Sequence, residues 1–339
     1  MSAAEEVVAE GHQAVEAVPK RAMTLGTGTS LVLLAALLIV PLFAKNFIIF
    51  QMTMLLIYGL AVLALNILTG GSGQFSLGQS AFYAVGAYTT AILMEHFDVN
   101  YALTLPIAGV LCFGFGFLFG QPALRLSGVY LALATFALAT AMPQLLKLNF
   151  LEHWTGGVQG LVVTKPDAPF GLPMSQDMWL YYFTLVVTLA IYIFSVNLLR
   201  SRSGRAFMAI RDNEIAASSM GVNVALYKTL AFGVSAGITG IAGGLSAIAV
   251  QFVAPDSYTI ALAISLFLGM VVGGVGWLPG SFVGAAFIIF VPNIAEGISK
   301  GLSGAVFGVL LFLVIYLVPH GARQVAIVSQ QLLGKLRKN

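Results

Sequence analysis

The sequence predicts an all-α polytopic membrane protein of about ten transmembrane helices, both termini cytoplasmic, and three observations carry that reading. Of its 339 residues, 59% are hydrophobic and only 9% charged, where a soluble domain carries about 25% charged residues. The apolar residues gather in runs long enough to cross a bilayer, which takes roughly 20 residues and at least about 17. The Lys and Arg residues gather at alternate ends of those runs. The net charge of +3 rests on few groups, so their placement says more than their sum. It gives no reason to expect nucleic-acid binding.

Residues 1–25 read as a cytoplasmic N-terminal tail. Glu5, Glu6, Glu10 and Glu16 precede the first basic residue, Lys20, whereas a secretory signal opens on a basic region; no cleaved signal is expected. The transmembrane domain then occupies 26–320, and its candidate spans are Thr27–Ala44, Phe47–Thr69, Ser76–Met94, Tyr101–Gly120, Val129–Lys147, Met178–Leu199, Leu226–Phe252, Thr259–Gly274, Pro279–Glu296 and Ser303–Val318. Residues 321–339 form a basic cytoplasmic C-terminal tail. Short cytoplasmic loops retain Lys and Arg. With the sixth span ending inside at Arg200, alternation places Lys20, Arg21, Arg125, Arg200, Arg202, Arg205, Arg211, Lys228, Arg323, Lys335, Arg337 and Lys338 on the cytoplasmic side, twelve of the sixteen basic residues. Lys45, Lys147, Lys165 and Lys300 fall outside.

Two glycine-rich breaks interrupt the apolar bulk, Thr69–Gln79 and Gly273–Gly280. Glycine frees the backbone from helical angles, and irregular backbone at membrane depth is tolerated only where protein or a water-filled cavity satisfies it. Paired breaks in two halves of a transporter point to its pathway, which makes Asn66, Gly70, Gly71, Gly73, Gln74, Ser76, Gln79, Gly273, Gly274 and Gly276 candidate pathway residues. Ser80 adds to this uncharged polar cluster. The other reading, tight loops at the cytoplasmic surface, agrees with the charge-derived topology.

Small residues at Ala132, Thr135, Ala139 and Ala141 in the fifth span, and at Gly233, Gly237, Gly240 and Gly244 in the seventh, read as packing faces, since helices in lipid approach through small residues. The external loop 149–177 holds Trp154-Thr-Gly-Gly-Val-Gln-Gly-Leu161 followed by Pro166, Pro169, Gly171 and Pro173, a run of helix breakers. It is a connector, or Trp154, Thr155, Gly156 and Gly157 form an external gate or docking face.

Absences narrow the class. No Asp or Glu lies at the centre of a span; Glu95, Glu152 and Glu296 sit at span ends. Ion-coupled carriers generally need an intramembrane ionisable group, so a secondary carrier or channel is the weaker alternative. The Gly334-Lys335 pair is followed by Leu336, where a phosphate-binding loop requires Ser or Thr. His12, His96, His153 and His320 have no ligand spacing, and the single Cys112 in an apolar run excludes a disulfide framework or a CxxC metal site. No enzyme site and no metal site are expected.

The cytoplasmic loop 200–228 is the one long polar interruption of the apolar runs that also carries a dense basic cluster. Ser203 is positioned to cap a helix and Gly221 to end one in a left-handed turn. Phe207, Ile210, Glu214, Ala217 and Gly221 follow 3-4-3-4 spacing on one face. Arg211 is the expected partner of Glu214, and Asn223 caps the next helix.

Gly204-Arg-Ala-Phe-Met-Ala-Ile-Arg-Asp-Asn-Glu-Ile-Ala-Ala-Ser-Ser-Met-Gly221 resembles the cytoplasmic EAA loop of binding-protein-dependent ABC permeases, in the form found in branched-chain amino acid permeases of the LivM type. Leu65–Phe82 is similar to that family's first signature, and Trp154–Leu161 and Gly269–Gly284 to later ones. The likeness runs from about Leu55 to Pro319. Glu214-Ile-Ala-Ala carries one residue more than the generic Glu-Ala-Ala, a variant usual in the branched-chain group. The resemblance implies a bacterial inner-membrane importer of the type II architecture for branched-chain or other apolar amino acids, with urea, amides or aromatic acids as alternative cargoes. It implies as partners a second homologous permease subunit in a heterodimer, two ATP-binding cassette ATPase subunits and a periplasmic solute-binding protein. ATP and Mg would be held by the ATPase subunits and no cofactor by this chain. Gly204, Arg205, Ile210, Arg211, Glu214, Ala216, Ala217 and Gly221 would couple it to the ATPase.

Overall fold

The computed structural model describes residues 37–123, 126, 128–169, 174–298 and 308–309. The expected N- and C-terminal tails, most of Thr27–Ala44 and nearly all of Ser303–Val318 lie outside the described residues. After a helical stretch at 37–43, α1 (Asn46–Asn66) runs into a π-helical turn, Ile67–Gly71. It is followed by α2 (Gln79–Phe97), α3 (Tyr101–Ala123), α4 (Val129–Leu146) and the short α5 (Glu152–Thr155). Strand β1 (Leu161–Val162) precedes α6 (Gln176–Arg200), α7 (Arg202–Asp212), α8 (Glu214–Ser219) and α9 (Val224–Val250). Strand β2 (Phe252–Val253), a 3-10 turn (Pro255–Tyr258), α10 (Ile260–Gly273) and α11 (Gly280–Ile298) complete the described elements. Among the described residues, six segments are long and apolar enough to cross a membrane: Asn46–Gly71, Tyr101–Pro122, Val129–Leu146, Gln176–Arg200, Val224–Val250 and Pro255–Gly273. Helices α2 and α11 stand where the third and ninth spans were expected.

Local chemistry sets the helix ends. Ser175 opens α6 by accepting from the Met178 amide at 3.3 Å, and Asn223 opens α9 by accepting from the Leu226 amide at 3.0 Å. Both satisfy an amide that the first turn cannot. Helices α2 and α9 end on residues in left-handed geometry, Asp98 at φ 49° and Gln251 at φ 63°, which terminates a helix by turning the chain away.

Helix α9 is the most buried of the six segments, wedged against α2 and α3. Its glycines let backbones touch. A Cβ on Gly86 of α2 would meet the Gly240 carbonyl of α9, and one on Gly243 the Tyr83 carbonyl. On the α3 side, a Cβ at Gly233 would lie 3.2 Å from Phe113, and one at Gly237 would lie 3.1 Å from the Gly109 carbonyl oxygen. The α9 stripe is thus a packing face, as its spacing predicts. In α4 only half of the expected face packs: Thr135 and Ala139 are buried, whereas Ala132 is half-buried and Ala141 exposed. Position 141 does not share the 3-4 register of 132, 135, 139 and 142, and Met142, not Ala141, completes the buried row.

The long loop is ordered by pairing. Leu161 opposes Val253 and Val162 opposes Phe252 in an antiparallel two-stranded ribbon, which ties the loop to the end of α9. Lys147 reaches Asp256 at 2.6 Å, a tie between α4 and the 3-10 turn.

Candidate functional site

The candidate coupling loop folds as an elbow of two helices, where its spacing predicts one. Asn213 is extended, φ −159° and ψ 109°, and its side chain accepts from the Ala216 amide at 3.0 Å. The amide-bearing side chain that ends α7 therefore starts α8. The cap of α7 is Ser201, not Ser203: its hydroxyl accepts from the Gly204 amide at 3.4 Å, and the helix begins two residues earlier than a Ser203 cap implied. Phe207 and Ile210 pack on the bundle, with the Phe207 ring edge-on to Tyr227 at 6.2 Å. Gly204 sits against the Leu199 backbone, where no Cβ fits.

Beyond the break the apolar side chains turn outward. Ile215 is 79% and Met220 85% exposed, while Ala217 is buried. Arg205 and Ala216 face out as well. Gly221 takes the expected left-handed turn at φ 82°, and the Val222 amide reaches back to the Ala217 carbonyl at 3.1 Å.

Glu214 pairs with Lys228 at 2.6 Å rather than with Arg211. The extended Asn213 swings Glu214 off the α7 register, so the expected one-turn neighbour is out of line. Arg211 instead binds Asp212 at 2.8 Å and donates through Nη1 to the Gly70 carbonyl at 2.8 Å.

The two glycine breaks meet. Asn66, 1% exposed, donates through Nδ2 to the Trp277 carbonyl at 3.1 Å and to the Gly274 carbonyl and Ser281 hydroxyl at 3.3 Å. Its Oδ1 accepts from the Gly276 amide at 2.6 Å. A Cβ on Gly70 would lie 2.5 Å from the Gly276 nitrogen, and Gly273 lies against the Gly280 carbonyl. Gly274 and Gly276 hold φ of 100° and 79°, and Gly73 holds 75°, values that require glycine. Gln74 donates to the Ser72 hydroxyl at 2.9 Å and the Lys228 carbonyl at 3.1 Å.

Gln79 lies in a separate knot, donating to Ser235 at 2.9 Å and accepting from Thr239 at 2.7 Å. Ser76 is buried and its hydroxyl accepts from the Gly78 amide at 3.2 Å, and Gly71 is buried beside Leu199. The candidate pathway residues thus sit mostly within this chain's packed interior, joined to one another, and of them Gly73 and Gln74 also border a cavity beneath the elbow. Sequence reasoning missed Ser235, Thr239 and Ser281, whose polar groups complete these knots; their occurrence as isolated hydroxyls in apolar helices was the available signal.

On the opposite face, Trp154 stacks on Phe97 at 5.9 Å and tilts against His96 at 5.4 Å. Thr155 donates to the Leu146 carbonyl at 2.9 Å and accepts from the Gly157 amide at 3.2 Å. Gly156, Gly157 and Gly160 are left-handed, which makes the segment a fixed turn. Thr155→Val is expected to cost about 1–2 kcal/mol, since it orphans a buried carbonyl and an amide; thermal unfolding in detergent measures it. Among the described residues no group of His, Cys, Asp and Glu could hold a metal ion.

A membrane-embedded bundle with an exposed elbow hydrogen-bonded to its own broken helices has the build of a transport component. The chain belongs to the family described as branched-chain amino acid transport system, permease component, which matches residues 47–318. It is similar to the high-affinity branched-chain amino acid transport system permease protein LivM of Salmonella typhimurium, 31% identical over 310 residues, 84% of this chain and 72% of that protein. LivM of Escherichia coli is 36% identical over 248 residues, 66% of this chain and 58% of that protein. The autoinducer 2 import system permease protein LsrC of Salmonella typhi is 29% identical over 151 residues, 42% of each chain. No solved structure matches. The chain is an integral membrane permease subunit of an importer, not an enzyme.

Proposed function

We propose that the chain is one of two homologous permease subunits in an ATP-driven importer that carries branched-chain amino acids across the bacterial inner membrane. Its partners are a second permease subunit, two ATPase subunits that hold ATP and Mg, and a periplasmic solute-binding protein. Ten spans with both termini cytoplasmic put twelve of sixteen basic residues inside, the distribution that cytoplasmic retention of Lys and Arg favours. In that orientation α7 and α8 face the ATPase and Trp154–Gly157 faces the binding protein. The glycine breaks line or hinge the pathway between them.

The observation that carries the docking reading is the elbow's outward apolar pair. Ile215 and Met220 stand exposed in a loop otherwise rich in charge. On the water side such residues cost free energy unless a partner covers them. Amphipathic helices of this kind seat in apolar grooves.

Glu214→Lys tests the reading. It replaces the Lys228 ion pair with two cations and reverses the charge at the head of α8. Solute-stimulated ATP hydrolysis by the assembled complex is expected to vanish while membrane insertion remains. Uptake at the wild-type rate would exclude the elbow as the docking element.

A further inference from the structure

We propose that Arg211 is the positioning residue that carries motion of the α7–α8 elbow into the membrane bundle, with the π-helical turn Ile67–Gly71 as its relay; this rests on the docking reading above. The end of a helix leaves carbonyls without intrahelical donors. At the end of Asn46–Gly71, the Ser72 amide bonds the Leu68 and Thr69 carbonyls, and the Gly73 and Gln74 amides return to Thr69 and Leu68. The Gly70 carbonyl takes its hydrogen bond from Arg211, at 2.8 Å. A cation there also opposes the negative end of the helix dipole.

Arg211 lies in the last turn of α7, two residues before the extended Asn213. Its guanidinium therefore sits at the elbow's own hinge. Its stem crosses Gly73, where a Cβ would stand 3.0 Å from Arg211 Cγ. A second tie lies alongside: Gln74 donates to the carbonyl of Lys228, and Lys228 holds Glu214 at the start of α8. Both arms of the elbow are thus bound to the stretch that leaves α1.

Between these ties is a cavity of about 250 Å³, its lining including Ser72, Gly73, Ile210, Asn213 and Glu214. Solid packing does not fill the gap between elbow and bundle at this point, and the two hydrogen-bonded links cross it beside the packed Phe207 and Ile210. Beyond Gly70 the path is rigid. The Gly70 backbone abuts Gly276, and Asn66 clamps both breaks together. A push on the elbow therefore reaches α1 and the α10–α11 connection at once, through groups with no slack between them.

A mere helix cap and a relay differ in what their loss does: a cap sets stability, whereas a relay sets how much transport each hydrolysis yields. The experiment uses the complete complex in proteoliposomes with leucine-loaded binding protein, and reads leucine delivered per ATP hydrolysed. Arg211→Met keeps the stem and removes the donor. It is expected to lower that ratio by about tenfold or more, a typical size for a lost coupling between sites, with the ATPase subunits still co-purifying. Arg211→Lys restores part of the ratio because its ammonium still reaches a carbonyl. Gln74→Met lowers the ratio to a smaller extent. Asp212→Asn, which removes the ion pair of Arg211 but not its Gly70 bond, keeps the wild-type ratio.

An unchanged ratio in Arg211→Met overturns the relay, whether or not thermal stability falls. Loss of the ATPase subunits from that variant also overturns it, since Arg211 would then be a docking contact. A wild-type chain that recruits no ATPase subunit removes the docking reading and the relay together, and shows before any variant is compared.

Discussion

Gly86→Ala is expected to prevent folding of the bundle, reducing the protein recovered from membranes to a small fraction of wild type. The added Cβ would meet the Gly240 carbonyl, with the carbonyl carbon and Cα of Gly240 at 2.5 Å. The obstacle is backbone on both sides, so no rotamer change relieves it. Helices α2 and α9 would have to separate, and Gly243 against the Tyr83 carbonyl would part with them. Overpacking of a well-filled core costs about 1–3 kcal/mol and occasionally more, and a site where only backbone can yield belongs at the upper end. Gly114 supplies the control. It is exposed on α3 and an added Cβ meets nothing within 4 Å. Gly114→Ala should leave yield and thermal stability at wild-type values or slightly above, because alanine is the better helix former. Equal loss in both variants would mean that the α2–α9 crossing does not decide the outcome, since helix propensity alone favours alanine at both positions.

The contrast shows what the sequence could disclose. Span positions were readable because length and hydrophobicity are local properties, and α1, α3, α6 and α9 begin and end within a few residues of the apolar runs. The α9 glycines were readable as a face because their spacing is helical. Which helix that face meets was not, since Gly86 and Gly240 are far apart in the chain. The same distance hides the polar knots. Asn66 and Gly276 are separated by 210 residues, and nothing near either one names the other. In the elbow the 3-4 spacing of Phe207, Ile210, Glu214 and Ala217 misled, because apolar periodicity does not register that Asn213 caps a second helix better than it continues the first. That one residue decides which side chains are presented: Phe207 inward, Ile215 outward. The partner of Glu214 changed for the same reason. The family motif marked the loop, but its geometry depends on Asn213.

Asn66→Leu should be the most damaging single change at the joint between the breaks, lowering stability by about 1–3 kcal/mol. Leucine keeps asparagine's branched shape and heavy-atom count, so the main loss is of hydrogen bonds, with some overpacking added by the larger methyl groups. Asn66 offers two N–H donors and one carbonyl acceptor, and these are spread over the Gly274 and Trp277 carbonyls, the Ser281 hydroxyl and the Gly276 amide. Hydrogen bonds between regular membrane helices average only about 0.6 kcal/mol, because the freed groups find other partners. The Gly276 amide has no such escape: left-handed geometry at φ 79° points it at Asn66, and the Asn66 side chain that receives it is buried. A buried backbone group left without a partner costs about 1–3 kcal/mol; the Gly276 amide is the one orphaned, because the Gly274 and Trp277 carbonyls still accept from the Trp277 and Gly280 amides. Asn66→Asp separates acceptor from donor. It keeps an oxygen for the Gly276 amide but loses both donors and brings a carboxylate into the bundle, so its cost should equal or exceed that of leucine. Thermal unfolding in detergent gives the magnitude, and amide exchange at Gly276 locates it, rising in Asn66→Leu but not in Thr155→Val on the opposite face. Wild-type stability in Asn66→Leu would mean that backbone packing at Gly70 and Gly276 closes the joint without the asparagine.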